Sequence, residues 1–219
     1  MTKQTGLAAA ILAGGHARRL GGANKATLVV GGAQIVDRQL DALREVASAV
    51  FVVGRDAPAW SARGLAVVPD DVPDAGALGG IFTAITRSPS DRTLVVACDM
   101  PFLSADLLRR MAAVEHADLV IPKSARGYEP LCAIYSRACA ADIRARIARG
   151  DLEASALPQG VRVAELGPEI LAQYDPDGLL FVNINTPHDY ERAKGLIELK
   201  PEPTQDRITT GDDRPTTDN

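Results

Sequence analysis

Short apolar runs alternate along the chain with longer stretches in which apolar residues return every three or four positions. The runs at Ala8–Leu12, Val50–Val53, Leu65–Val68, Leu94–Cys98, Leu119–Ile121, Leu131–Tyr135 and Phe181–Ile184 predict buried strands. Near-continuous apolar character of this kind belongs to strands covered on both faces. Between them, Ile35, Val36, Leu40, Leu43 and Val46 form a stripe of helical spacing, predicting a helix over Ile35–Val46. Ser104 is the expected N-cap of a helix reaching about Val114, with Asp106 in the first turn where the helix dipole favours negative charge. A further helix is expected over Arg137–Ala148, stopping at Gly150, and a last one begins at Thr186, with Pro187 at its first position and Asp189 three residues after the cap. Strands alternating with helices are the pattern of βα units. The expected fold is therefore α/β: a single three-layer, Rossmann-like domain with a mostly parallel central sheet.

Composition limits the domain count. The 219 residues suit one domain, or one domain with a tail. Beyond Leu199 the chain is mostly Pro, Thr, Asp, Arg and Gln with Ile208 as its one apolar residue, too little apolar surface to offset ordering entropy. The expected division is a domain over 1–199 and a disordered tail over 200–219. Aromatics are only 4% of residues, so the core must be built from Ala, Val, Leu and Ile.

Charge and cysteine content narrow the class of function. A net charge of −4 argues against a general nucleic-acid binder or a binder of anionic membranes, so phosphate chemistry would need a local basic cluster. Cys98, Cys132 and Cys139 are odd in number with no C-x-x-C pair, which suggests neither a disulfide framework nor a zinc site and fits a reducing, cytoplasmic setting. No apolar run approaches the roughly 18 residues of a membrane span. The N-terminus mimics a signal peptide weakly, with Lys3 before the apolar stretch Leu7 to Ala13, but Arg18 and Arg19 follow directly.

Candidate chemistry begins at the end of the first strand. Leu12-Ala13-Gly14-Gly15-His16-Ala17-Arg18-Arg19-Leu20-Gly21-Gly22-Ala23-Asn24-Lys25 combines glycines, which let backbone N–H groups approach an anion, with three cations. It reads as a cradle for a nucleoside polyphosphate. It is not a Walker A loop, because Asn24 rather than Gly precedes Lys25, and its paired glycines do not form G-x-G-x-x-G. Two carboxylates fall beyond strand ends, where ligands bind in open α/β sheets: Asp70 after Leu65–Val68 and Asp99 after Leu94–Cys98. Nucleotidyl transfer uses a divalent metal to gather phosphate oxygens, and magnesium takes only one or two protein carboxylates. A lone Asp99 meets that demand.

The segment Leu12 to Lys25 resembles the signature of the nucleotidyltransferase superfamily, in particular the molybdenum cofactor guanylyltransferases, whose pattern is L-A-G-G-x-[AS]-R-R-[ML]-G followed by a lysine. Cys98-Asp99-Met100-Pro101 is similar to the family's C-D-x-P, which implies that Asp99 holds magnesium. Asp70, rather than Asp71, matches the V-x-x-D whose carboxylate contacts the nucleotide. Gly76-Ala77-Leu78-Gly79-Gly80 resembles G-P-L-[AG]-G, with a helix opening at about Ile81. Asn183-Ile184-Asn185-Thr186-Pro187 resembles N-x-N-T-P, which closes the site, and Glu129-Pro130-Leu131 resembles a wall near the pterin. The resemblance spans about Ala8 to Leu199 and implies a nucleotide-diphospho-sugar transferase-like fold.

On these residues the expected reaction is transfer of GMP from GTP to Mo-molybdopterin. Arg18, Lys25 and Asp99 are the expected catalytic residues; Leu12, Ala13, Gly14, Gly15, Lys25, Asp70 and Asp99 bind the nucleotide; Asp99 holds Mg2+. Expected partners are GTP, Mo-molybdopterin and molybdoenzymes or their chaperones, with no nucleic acid and no membrane. The alternatives are a cytidylyltransferase or sugar-phosphate nucleotidylyltransferase of the same superfamily, and a non-catalytic nucleotide-binding module for molybdoenzymes. Two departures bear on the match: Asn24 stands where Asp is common, and Val53-Gly54 where an Asn often helps hold guanine. His16, His116 and His188 show no ligand or triad spacing, and Trp60 is isolated.

Overall fold

The computed structural model describes residues 6–14, 25–55 and 58–198. In chain order the elements are β1 (Leu7–Ala13), β2 (Val29–Val30), β3 (Ala33–Gln34), α1 (Ile35–Val46), β4 (Ala49–Gly54), α2 (Pro58–Ser61), β5 (Ala66–Val68), α3 (Gly76–Arg87), β6 (Arg92–Ala97), α4 (Ala105–Ala112), β7 (Leu119–Ser124), β8 (Gly127–Tyr128), β9 (Cys132–Ser136), α5 (Ala140–Ala148), β10 (Val163–Leu166), α6 (Pro168–Leu171) and α7 (Pro187–Glu198). The main sheet has the order β10-β7-β9-β6-β1-β4-β5, and only β9 along this path runs antiparallel to its neighbours. The expected α/β fold with a mostly parallel sheet is the one observed.

The period of two along β1 divides the interior into two cores. Leu7, Ala9 and Ile11 join a cluster with Val36, Leu40 and Leu43 of α1 and Leu107, Leu108 and Met111 of α4. Ala8, Ala10 and Leu12 join the opposite cluster with Leu78, Ile81 and Ile85 of α3 and Ile143 of α5. Residues 8–11 of β1 are fully buried, as a strand between two helical layers requires. This is the physical basis of the three layers. A satellite cluster of Val30, Ile35, Ile184 and Ala193 fastens the β2–β3 hairpin and α7 to the domain.

Several helix boundaries follow the local chemistry read from the sequence. Helix α1 spans the expected Ile35–Val46. The Ser104 hydroxyl accepts from the Leu107 N–H at the start of α4, and Gly150 takes the left-handed φ of +75° just beyond α5. At α7, Thr186 and Asp189 form a reciprocal capping box: the Asp189 N–H donates to Thr186 Oγ1 at 3.1 Å, and Asp189 Oδ2 accepts from the Thr186 N–H at 2.8 Å.

Two expectations are corrected. Phe181–Ile184 is not a strand. Phe181 packs in the α1 and α4 core and Ile184 in the satellite cluster, while the Ile184 N–H donates to the Asp99 carbonyl at 3.0 Å instead of to a sheet ladder. An apolar run reports burial, and here it belongs to a buried connection. Helix α3 opens at Gly76, well before Ile81, directly after a 3-10 turn at Pro73–Ala75. The sequence also gave no sign of β10, whose Val163–Leu166 alternates too briefly to stand out but pairs in parallel with β7. The expected tail over 200–219 lies outside the described residues.

Candidate active site

Strand order locates the crevice. The chain lays β4 and then β5 to one side of β1, then returns to place β6 on the other side. Such a reversal leaves an opening at the carboxyl ends of the two strands that flank it, here β1 and β6. Register makes the placement concrete, because Ala97, Leu12, Val53 and Val68 lie in one row across β6, β1, β4 and β5. Asp99, Gly14 and Asp70 each stand two residues beyond that row, so all three reach the same edge of the sheet.

Asp99 meets Lys25 there. Lys25 opens a 3-10 turn, Lys25–Thr27, and its Nζ donates to Asp99 Oδ2 at 3.0 Å and to Asn185 Oδ1 at 2.6 Å. The Lys25 and Asp99 side chains retain only 18% and 13% of their accessible surface, so the pair is shielded but reachable. Backbone contacts hold it from both sides: the Cys98 N–H donates to the Leu12 carbonyl at 3.2 Å, and the Ile184 N–H to the Asp99 carbonyl. Asn185 is held in turn by the α7 capping box, its N–H donating to Asp189 Oδ2 at 3.0 Å. Loops following β1, β6 and the irregular 181–186 segment thus converge on one ammonium group.

Gly54, the second residue of the Val53-Gly54 pair, has no room for a side chain. A Cβ at this position would lie 2.9 Å from the Ala13 carbonyl carbon and oxygen, and the residue has a φ of +148°. Only glycine fits against the Ala13–Gly14 backbone there. An Asn side chain at this position is excluded by the packing of the strand end that begins the glycine loop.

Asp70 is not brought into the Lys25–Asp99–Asn185 cluster. Strand β5 is three positions from β6, about 14 Å at the usual spacing. Asp70 Oδ1 accepts from the Val72 N–H at 3.0 Å and from Thr83 Oγ1 at 2.8 Å, and Thr83 Oγ1 accepts from the Asp71 N–H. Its carboxylate therefore fixes the loop that leads into α3. Asp71 turns outward to a bidentate contact with Arg87, which lowers its pKa. The two aspartates are adjacent in the chain, and the structure gives them different partners.

Glu129-Pro130-Leu131 stands at the same edge, because the antiparallel pairing of β9 sets Cys132 opposite Val96. Glu129 Oε1 accepts from Ser124 Oγ at 2.7 Å, and Arg126 donates to the Phe181 carbonyl at 2.7 Å, tying this turn to the 181–186 segment. Arg18, Arg19 and Gly15 lie outside the described residues. Leu12 and Ala13 end β1, and Gly14 follows it.

Among the described residues, no group of three or more His, Cys, Asp or Glu side chains is placed to hold a metal. What the site offers a cation is two hard oxygens, Asp99 Oδ2 and Asn185 Oδ1, already converged on the Lys25 ammonium. That donor set fits magnesium, which keeps most of its positions for water and phosphate. The neighbouring Cys98 thiol is pushed up to about 12, chiefly by burial and then by the Asp99 charge, so it is no nucleophile.

The MobA-like NTP transferase domain model matches residues 9–163. The chain belongs to this family. A molybdenum cofactor guanylyltransferase of Desulfosudis oleivorans is 34% identical over 194 residues, covering 86% of this chain and 94% of the relative. A probable molybdenum cofactor guanylyltransferase of Pelotomaculum thermopropionicum is 34% identical over 90% of this chain and 95% of its own length. Among solved structures, molybdopterin-guanine dinucleotide biosynthesis protein A from Archaeoglobus fulgidus superposes with a TM-score of 0.72 at 27% identity, covering 87% of this chain and 98% of that one.

Within this MobA-like chain the matched span holds the glycine loop, Lys25, Asp70 and Asp99, while Asn185 lies beyond it. These positions are legible in the sequence, whereas two residues that hold them are less so. Thr83 and Gln39 are both fully buried polar residues. Gln39 had a legible signal: it occupies an apolar position of the Ile35, Val36, Leu40, Leu43 stripe. Thr83 had none, since a buried Thr in a helix is unremarkable until its partner is known. No helix among the described residues is long and apolar enough to cross a membrane.

Proposed function

We propose that this nucleotidyltransferase-family chain transfers GMP from GTP to Mo-molybdopterin, giving the guanine dinucleotide cofactor and pyrophosphate. The observation that carries the reading is the convergence of Lys25, Asp99 and Asn185 at the crevice between β1 and β6. The names of relatives matching most of this chain supply the substrates. An oxygen of the pterin's terminal phosphate attacks the α-phosphorus of GTP; the bond from that phosphorus to the bridging oxygen breaks, and pyrophosphate leaves with the electron pair. The attacking oxygen is already anionic, so the protein's task is alignment and charge stabilisation more than proton removal.

In this reading Asp99, with Asn185, holds Mg2+, which supplies charge neutralisation at the phosphates. Lys25 and the Gly14 backbone bind phosphate oxygens, joined by Gly15, Arg18 and Arg19. Asp70 orients the nucleotide through the loop that it fixes to Thr83. The three unpaired cysteines support a cytoplasmic setting, and molybdoenzymes or their chaperones are the proposed recipients of the product. Gly54 offers no side chain to the base, so selection of guanine falls to backbone groups and neighbouring residues.

The test is pyrophosphate release with GTP, CTP, ATP and UTP, each with Mo-molybdopterin or a sugar phosphate and with or without Mg2+. Release confined to GTP with the pterin and metal supports the proposal. Preference for CTP or for a sugar phosphate would move the chain to another branch of the superfamily, and no release with any pair would make it a binding module.

A further inference from the structure

Gln39 is fully buried on α1, the helix that covers the sheet beside β6. Its Nε2 donates to the Ala97 carbonyl at 2.7 Å and to the Met100 carbonyl at 3.1 Å. These two acceptors bracket Cys98 and Asp99. The preceding residue, Arg38, donates to the carbonyl of Pro101 at 3.3 Å and to that of Val30 at 3.3 Å. Two consecutive residues of one helix therefore grip the turn that carries the site's carboxylate. The amide orientation is decided by the acceptors, since the reverse assignment would set Oε1 against two carbonyl oxygens. Among the described residues, Oε1 is left buried without a hydrogen-bond partner. A Leu or Met would fill this stripe position without that burden.

We infer that Gln39 is a positioning residue: by turning carbonyls 97 and 100 toward α1, while the Asp99 carbonyl meets Ile184, it fixes the backbone from which the Asp99 carboxylate reaches Lys25. The effect on turnover rests on the proposed transfer reaction. The effect on the turn itself does not. Gln39→Met removes both donated bonds at similar volume. Gln39→Glu keeps the shape but donates only while its buried carboxyl is protonated, so any bond that it restores is lost as pH rises. Leu40→Ala, from the same helix and the same core cluster, is a matched control that loosens the core without removing either hydrogen bond to the turn.

The experiment uses the full chain and reads four quantities: melting temperature, hydrogen exchange of a peptide covering 97–101, kcat, and the Mg2+ concentration giving half-maximal rate. For Gln39→Met we expect faster exchange confined to 97–101, kcat reduced about tenfold, and half-activation shifted to several-fold higher Mg2+, with the KM for GTP within twofold of wild type. Leu40→Ala should lower the melting temperature at least as much while keeping kcat and the Mg2+ requirement. Gln39→Glu should have a kcat ratio to wild type that falls from pH 6 to pH 8.5. Unchanged exchange at 97–101 in Gln39→Met overturns the inference, as does a kcat loss shared by Leu40→Ala. If Gln39→Met does not fold, Gln39→Asn, whose amide is one methylene too short to hold both carbonyls, is measured in its place, and unchanged exchange at 97–101 there overturns the inference. If wild type transfers no nucleotide, the proposed function fails while the exchange result still decides whether Gln39 holds the turn.

Discussion

Lys25 and Asp99, 74 residues apart in the chain, meet at 3.0 Å across the opening between β1 and β6. The contact joins the end of the glycine loop to the turn after β6. In the proposed reaction it sets the phosphate-binding ammonium beside the carboxylate that would hold Mg2+.

Lys25→Ala should lower turnover by about 10²–10³, as loss of one preorganised donor typically does. Lys25→Arg should restore little, because a planar guanidinium cannot direct one compact charge to both Asp99 and Asn185. Pyrophosphate release under saturating substrates reads both effects, and wild-type turnover in Lys25→Ala would remove this lysine from the mechanism.

Gly79 and Gly80 are neighbours with different tolerance. A Cβ on Gly79 would stand 2.2 Å from the Val72 carbonyl oxygen, which has no flexible end to move, whereas a Cβ on Gly80 would meet Leu12 Cδ1 at 3.1 Å. Gly79→Ala should cost about 3 kcal/mol, at the upper end of overpacking penalties. That lowers the melting temperature by about 6–12 °C. Gly80→Ala should shift it by less than half as much. Since the Val72 loop also carries Asp70, Gly79→Ala should raise the KM for GTP as well.

The three thiols should resist modification in the native protein. Burial pushes Cys98 and Cys132 up to about 12 and Cys139 up to about 11. At pH 8 almost none is thiolate, the reactive form. A disulfide reagent should react slowly with the native chain and titrate all 3 cysteines once it is unfolded. Fast stoichiometric labelling of one thiol before unfolding would contradict this arrangement.

Asp118 ties β7 to the segment before β10. Arg162 donates to its carboxylate from Nε at 3.0 Å and from its backbone N–H at 2.9 Å. The Arg162 side chain, then its N–H, hold the Asp118 carboxyl down to about 2. A carboxylate depressed on folding contributes stability that is present above its ordinary range and lost as pH falls toward 2. Acid unfolding followed by circular dichroism should therefore lose part of its slope between about pH 4 and pH 2 in Asp118→Asn, with the difference reduced at high salt.

Much of this protein was legible in its residues. Local rules are written in neighbouring positions: the stripe of α1, the Ser104 cap, the stop at Gly150 and the Thr186 and Asp189 capping box each depend on side chains three or four places apart. The α/β class followed from alternating runs, and the glycine loop with Lys25 and Asp99 from residue types set at strand ends. Tertiary structure decided what depends on distant partners. Phe181–Ile184 looked like a strand because apolar runs report burial and not the partner of each N–H, and only the fold sends the Ile184 N–H to Asp99. Asp70 and Asp71 are adjacent and chemically alike in sequence. Thr83 and Arg87, on a helix that folds back over them, make one a fixed element of a loop and the other a surface ion pair. Gln39 was a polar break in an apolar stripe until the turn after β6 came to rest against it and supplied two carbonyls to bind. Sequence patterning determines which surfaces are buried; which polar groups meet inside is settled only when those surfaces close.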